Sequence, residues 1–161
     1  MIDWSSVPVF GDRVPHFPAT IRPSAYGIVG DGRSCVAVVR TPSGVLLPGG
    51  GRDDGESAEA TVIRETAEEC ALVIVAGTWR AAAIEHVSST TKRAHFEKRS
   101  TFCDATVVGR SIHAGESDHE LVWVSPSEAM AVLTPASHRW AVGEWLVRMM
   151  DRFRSEHRTQ P

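Results

Sequence analysis

The chain has no apolar run approaching the roughly 20 residues a helix needs to cross a bilayer, so no membrane partner is expected. Its opening, MIDWSSVPVFGDRVP, has no basic segment followed by an apolar one, which excludes a recognisable secretory leader and makes a cytoplasmic location the expectation. Cysteine is scarce. Cys35, Cys70 and Cys103 are odd in number and far apart, so the pattern predicts buried free thiols in a reducing compartment rather than a disulfide framework. No Cys/His cluster has zinc spacing, and the seven histidines are scattered. Positive charge is not in excess either. A net charge of −3 offers no field for an extended nucleic acid, so a small anionic substrate would need local help from a metal and a few arginines.

What is present is an ordinary globular profile. With 161 residues, 42 % of them hydrophobic, the chain is long enough for one domain with a sizeable core. Residues 1–23 hold Pro8, Pro15, Pro18 and Pro23, which favour extended, non-helical chain, and read as an N-terminal arm that includes an edge strand. The domain is expected over 24–155, with a short tail at 156–161. Ala25 to Gly30 and Ser34 to Thr41 are β-rich runs around the Gly30-Asp31-Gly32 turn. Val45 to Leu47, Leu72 to Val75, Trp79 to His86, Phe96 to Val108 and Leu121 to Val124 complete the predicted strands. Ser88 to Arg93 reads as an exposed hairpin loop. Pro126 opens a short helix, and a last helix is predicted from about Ser137 to Phe153, with Trp140, Trp145, Leu146 and Met149 on its apolar side. This order predicts an α/β fold, a mixed sheet with helices on both faces.

The most informative stretch is GGRDDGESAEATVIRETAEECAL, Gly50 to Leu72. A glycine turn leads through a Ser57 N-cap into a helix carrying Arg64, Glu65, Glu68 and Glu69. A helix advances about 100° per residue, so Glu65, Glu68 and Glu69 share one face, while Ala60, Ile63, Ala67 and Cys70 are predicted to face a core on the other. Clustered carboxylates repel unless a positive charge sits among them. All-oxygen ligands favour a hard cation, Mg²⁺ or Mn²⁺. A glutamate-rich helix face alone would be ordinary solvated surface. Six fixed positions are not: a chance match in this chain is on the order of 10⁻⁵ at average residue usage.

These residues resemble the signature of the Nudix hydrolases, Gly-x5-Glu-x7-Arg-Glu-U-x-Glu-Glu-x-Gly-U, where U is aliphatic. Gly50, Glu56, Arg64-Glu65, Glu68-Glu69 and Leu72 match, whereas Thr66 stands at an aliphatic position and Ala71 at the glycine. Every charged position is intact, so the departures bear on packing and on how the helix ends. The segments AYGIV, LPGGG, ELVWVSPSEA and SHRWAVGEWL are similar to small bacterial MutT-like members. The resemblance implies an α/β/α sandwich with the signature as a loop–helix–loop at one end of the sheet.

It also implies a reaction, hydrolysis of a nucleoside diphosphate linked to another group. Glu65, Glu68, Glu69 and the main-chain carbonyl of Gly50 would hold the metal, and Arg64 would orient the first carboxylate, with Glu56 in support. Glu65 is the expected general base, with Glu116 and Glu120 as alternatives outside the helix. ADP-ribose pyrophosphatases carry a proline where this chain has His86, and dinucleoside polyphosphate hydrolases a tyrosine where it has Ser88 and Ser89. The upstream motif of coenzyme A pyrophosphatases is missing before Pro48. A nucleoside or deoxynucleoside triphosphate is therefore the default substrate. The competing class is a nucleotide-binding regulator without turnover, which would usually have lost box carboxylates. Lys92, Arg93, Lys98 and Arg99 are candidate phosphate contacts or ordinary surface, and His95 and His119 have no partner that sequence identifies. The arm, with Trp4 and Phe10, would either cross to a partner in a homodimer or fold back on its own sheet.

Overall fold

A computed structural model describes residues 2–89, 94–112 and 117–157, leaving aside the side chains of 156 and 157. Its elements are β1 (Val9–Phe10), β2 (Ala19–Gly30), β3 (Val36–Thr41), β4 (Gly44–Leu46), β5 (Gly49–Gly51), α1 (Ala58–Cys70), β6 (Leu72–Ser89), β7 (Ala94–Arg110), β8 (Glu120–Val124), α2 (Pro126–Val132) and α3 (Ala136–His157). Successive side chains of a strand point to opposite faces, and in β2 and β3 both faces are apolar. Tyr26, Ile28, Val36 and Val38 join one core, together with Phe102, Leu133, Ala141 and Val142. Ala25, Val29, Ala37 and Val39 join the other, with Val62, Cys70, Leu72, Ile74 and Cys103. A sheet buried on both sides needs a layer on each: α1 covers the second core, and α2 and α3 cover the first. The predicted mixed sheet with helices on both faces is what the chain forms.

The eight strands run in the order β1-β6-β7-β2-β3-β4, with β5 added to β2 and β8 to β3. β2 lies parallel to β7 from Ala19 opposite His95 to Gly30 opposite Thr106, and β1 lies parallel to β6. The remaining pairs are antiparallel. Gly27 lets α1 approach, because a Cβ there would lie 2.7 Å from Val62 Cγ1. Burying each large apolar side chain of these layers is worth about 1.5–3 kcal/mol.

Several boundaries differ from the sequence reading. Residues 19–23, assigned to the arm, are the first rungs of β2. Pro23 is tolerated there because the β5 side needs only its carbonyl, which accepts from Arg52 N at 3.1 Å. The two runs at 72–75 and 79–86 are one strand, β6, with register irregularities between Val73 and Ile74 and between Ala76 and Arg80. Ser88 and Ser89 continue that strand rather than forming a loop, and Lys92 and Arg93 fall outside the described residues. The arm folds back: β1 extends the sheet edge, Phe10 packs on Trp140 with ring centroids 6.0 Å apart, and the Arg99 guanidinium lies 5.6 Å over the Trp4 ring. Cys70 and Cys103 are buried free thiols, and burial raises them to about 12 and about 11; Cys35 is free and half-buried. Among the described residues, no helix is long and apolar enough to cross a membrane.

Candidate active site

Local sequence builds the site from β5 and α1. Ser57 is the N-cap, its hydroxyl accepting from Ala60 N at 3.1 Å, and Glu59 sits favourably in the first turn. The buried residues of α1 are Thr61, Val62, Thr66, Glu69 and Cys70. Ala60 and Ile63, expected to face a core, are exposed instead. The expectation failed because the carboxylate face does not point away from the protein. It is turned toward the glycines of β5, so the apolar face lies beside it rather than opposite, and only Cys70 of the predicted set is deeply buried.

Arg64 organises the carboxylates. Its Nε and Nη2 donate to the two oxygens of Glu56 at 2.9 and 3.0 Å, a bidentate pair. Nη1 donates to Glu65 Oε1 at 2.9 Å and to Glu68 Oε2 at 3.1 Å. Nη2 also reaches the Gly51 carbonyl at 3.3 Å, which ties the helix to the end of β5. Glu56 further accepts from Thr61 Oγ1 at 2.7 Å and from Asp53 N at 3.2 Å. The guanidinium first, and then the Thr61 hydroxyl, hold the Glu56 carboxyl down to about 2. The same bonds, Glu56 foremost, push Arg64 further up, so it stays charged.

Gly50 lies directly under Glu65. A Cβ at Gly50 would be 2.7 Å from Glu65 Oε1, so any side chain there would push the Glu65 carboxylate from its place. Glu69 is the buried carboxylate, 8 % exposed. Its Oε2 accepts from Gly49 N at 3.0 Å, and its Oε1 lies 3.5 Å from His119 Nε2. Tyr26, buried nearby, is pushed up to about 12, chiefly by burial, with Glu69 and Glu65 adding to the effect.

Glu56, Arg64, Glu65, Glu68, Glu69 and Gly50 are thus gathered at one end of the sheet. Glu120 is not among them: it is exposed and pairs with Arg40 at 3.3 Å. Glu116 lies outside the described residues. Lys98 and Arg99 stand on β7 away from this cluster, Arg99 paired with Glu97 at 2.8 Å. Burial lowers Lys98 from its ordinary value. His95 is buried, with Nδ1 3.1 Å from Ser88 Oγ and its ring stacked on His86. Sequence reasoning missed His119 and the Gly49 amide, because both contacts join residues remote in sequence and neither residue type carries a periodic signal. Trp140 is core, as expected, packed on Phe10 and Phe102.

The donors suit a hard divalent cation in kind: three glutamates of one helix and the main chain of Gly50, which lies against the Glu65 carboxylate. Among the described residues no three carboxylate, histidine or cysteine side chains converge as a complete ligand set. In this arrangement Glu65 and Glu68 point to Arg64 and Glu69 to Gly49.

A layered mixed sheet with an arginine-clamped set of glutamates at the end of one helix defines a class of hydrolases. The chain belongs to the Nudix family: the NUDIX domain model matches residues 20–146. Its members generally hydrolyse nucleoside diphosphate derivatives and generally use divalent metal ions. A comparison with curated proteins gave no match. Solved structures similar in fold include a NUDIX hydrolase from Nitrosomonas europaea (TM-score 0.61, 14 % identity, covering 80 % of this chain and 90 % of that one). The MutT protein from Methanosarcina mazei Go1 is another (TM-score 0.58, 20 % identity, 81 % and 96 %), as is the E. coli dihydroneopterin triphosphate pyrophosphohydrolase (TM-score 0.56, 13 % identity, 80 % and 99 %).

Proposed function

We propose that this Nudix hydrolase is metal-dependent and cleaves a diphosphate linkage in a nucleoside or deoxynucleoside triphosphate. The observation that carries the reading is Arg64 holding Glu56, Glu65 and Glu68 together while Glu69 is fixed separately at Gly49. One fold relative, by its name a dihydroneopterin triphosphate pyrophosphohydrolase, acts on a triphosphate, which is compatible with the default that the downstream residues suggest.

Glu65, Glu68, Glu69 and the Gly50 carbonyl would hold Mg²⁺ or Mn²⁺. When bound, such an ion neutralises charge on phosphoryl oxygens and lowers the pKa of water. Arg64 keeps two of the carboxylates from repelling one another and aims Glu65, the residue we assign as the base that accepts the proton from the attacking water. Glu56, already ionised and paired, fixes the guanidinium rather than meeting substrate. Glu120, committed to Arg40, is the weaker candidate for the base.

The test is product release from a panel of dNTPs, oxidised dGTP, ADP-ribose, nucleotide sugars and dinucleoside polyphosphates with Mg²⁺ or Mn²⁺, using Glu68→Gln/Glu69→Gln as the control. Turnover lost in the control is the expected result, and Glu69→Gln alone is expected to lower turnover by at least ~10². Near-normal activity of that variant with an intact fold would overturn the metal assignment. Tight nucleotide binding without turnover would make the chain a nucleotide-binding regulator instead.

A further inference from the structure

We infer that His119 is a positioning residue for Glu69, an assignment that rests on the proposed metal-dependent hydrolysis. His119 lies just before β8, fifty residues from Glu69 in sequence, yet its Nε2 is 3.5 Å from Glu69 Oε1. The contact is sheltered, with side-chain exposures of 16 % for His119 and 9 % for Glu69. Glu69 Oε2 is held by Gly49 N at 3.0 Å on the opposite side. One carboxylate is therefore held at one oxygen by the β5 amide and met at the other from the approach to β8, so a quarter-turn about its terminal torsion disturbs both contacts. The torsion at the end of a glutamate side chain is otherwise broad and weakly restricted. A group that presents metal-binding oxygens in one orientation benefits from such restraint, since outer partners of ligating carboxylates fix their orientation.

The ring itself is restrained at its other nitrogen, Nδ1, 3.1 Å from Asp118 Oδ1. Asp118 is 62 % exposed, so this second contact faces solvent and the Glu69 contact faces the site. His119 reaches the glutamate face of α1 at Glu69, so the action assigned to it on the reaction passes through that carboxylate. The role needs a polar side chain that reaches Glu69 from the β8 side and does not need a group that exchanges protons. That separates positioning from general acid or base work and gives the two readings opposite outcomes in one substitution.

The experiment compares wild type, His119→Ala and His119→Gln, the last of which carries an amide N–H to about the same distance. Mn²⁺ affinity is read by electron paramagnetic resonance without nucleotide, and kcat and KM are read on the panel substrate. In His119→Ala we expect Mn²⁺ affinity and kcat each to fall about 10-fold or more, the low end of what loss of an outer partner costs, with KM little changed. His119→Gln is expected to restore both to within a few-fold of wild type. Equal Mn²⁺ affinity and kcat in His119→Ala and wild type would overturn the assignment, as would a His119→Gln variant as impaired in kcat as His119→Ala. Failure of wild type itself to bind Mn²⁺ or turn over any panel member would overturn the metal-dependent reading, and this inference with it. Thermal melting of each variant separates these outcomes from misfolding, and His119→Gln keeps the test decisive where His119→Ala does not fold.

Discussion

Arg64 serves three carboxylates from one planar group, and that geometry is specific to arginine. Nε and Nη2 form the fork on Glu56 while Nη1 divides between Glu65 and Glu68. A lysine would bring one compact charge and could not make the fork and the divided contact together. Arg64→Lys is therefore expected to cut kcat by about 10- to 100-fold while the fold persists, as read by steady-state kinetics alongside circular dichroism. Activity within a factor of two of wild type would show that the positive charge alone suffices. At this scale the sequence was informative wherever function fixes spacing: Arg64, Glu65, Glu68 and Glu69 are within one helix, so their relation follows from the helical period. The partners that come from afar were not legible. Gly49 meets Glu69, His119 meets Glu69 and Arg40 takes Glu120 through strand pairing and loop placement, and no local pattern encodes those meetings.

At the scale of the element, α1 and its C-cap hold two residues that depart from the family signature, and both leave a physical trace. Thr66 is fully buried and its Oγ1 makes no hydrogen bond among the described residues. An unsatisfied buried hydroxyl costs roughly 1–3 kcal/mol, and valine has nearly the same shape without the polar atom. Thr66→Val is expected to raise unfolding free energy by about 1 kcal/mol in urea denaturation; a loss of stability would mean that the hydroxyl is satisfied in solution. Ala71 ends the helix with φ 53° and ψ 36°, its N–H donating back to Ala67 and Thr66 carbonyls. A left-handed residue with a Cβ costs roughly 1–2 kcal/mol, offset in part by the greater freedom of glycine in the unfolded chain. Ala71→Gly is expected to stabilise by about 0.5–1 kcal/mol on the same assay, and no gain or a loss would place the strain elsewhere. Both sites were legible as departures, whereas the orientation of α1 was not. Periodicity places a stripe on a helix but cannot say that a carboxylate face will itself turn inward toward glycines. The start of α3 was read to within one residue, but not its cap: Glu85 of β6 accepts from Ala136 N at 3.0 Å and Ser137 N at 3.3 Å and takes the Ser137 hydroxyl as well.

Over the whole molecule, one buried group joins segments 91 residues apart and makes global stability depend on pH. His138, on the first turn of α3 and 2 % exposed, accepts a hydrogen bond from Leu47 N at 3.1 Å through Nδ1 and packs on Tyr26 with centroids 4.2 Å apart. Burial first, and then the charge of Lys98, lowers its pKa to about 3. The folded protein therefore keeps His138 neutral, while the unfolded chain protonates it near 6.5. Between those values the unfolded state binds the extra proton, so unfolding free energy rises with pH and falls as the solution is acidified. The stabilising preference for the neutral form is fully present above about 6.5 and is lost progressively toward pH 3, by up to about 1.4 kcal/mol per pH unit for one proton. His138→Gln keeps an acceptor and removes the titration. The stability difference between wild type and His138→Gln, measured by urea denaturation at intervals from pH 8 to 4.5, is expected to be flat above pH 7 and to narrow steadily below 6.5. The wild type should lose ground over the same range. A difference that stays constant with pH would mean that His138 takes up its proton as readily in the folded protein as in the unfolded chain, and that the α3 side of the sheet opens to water near Leu47.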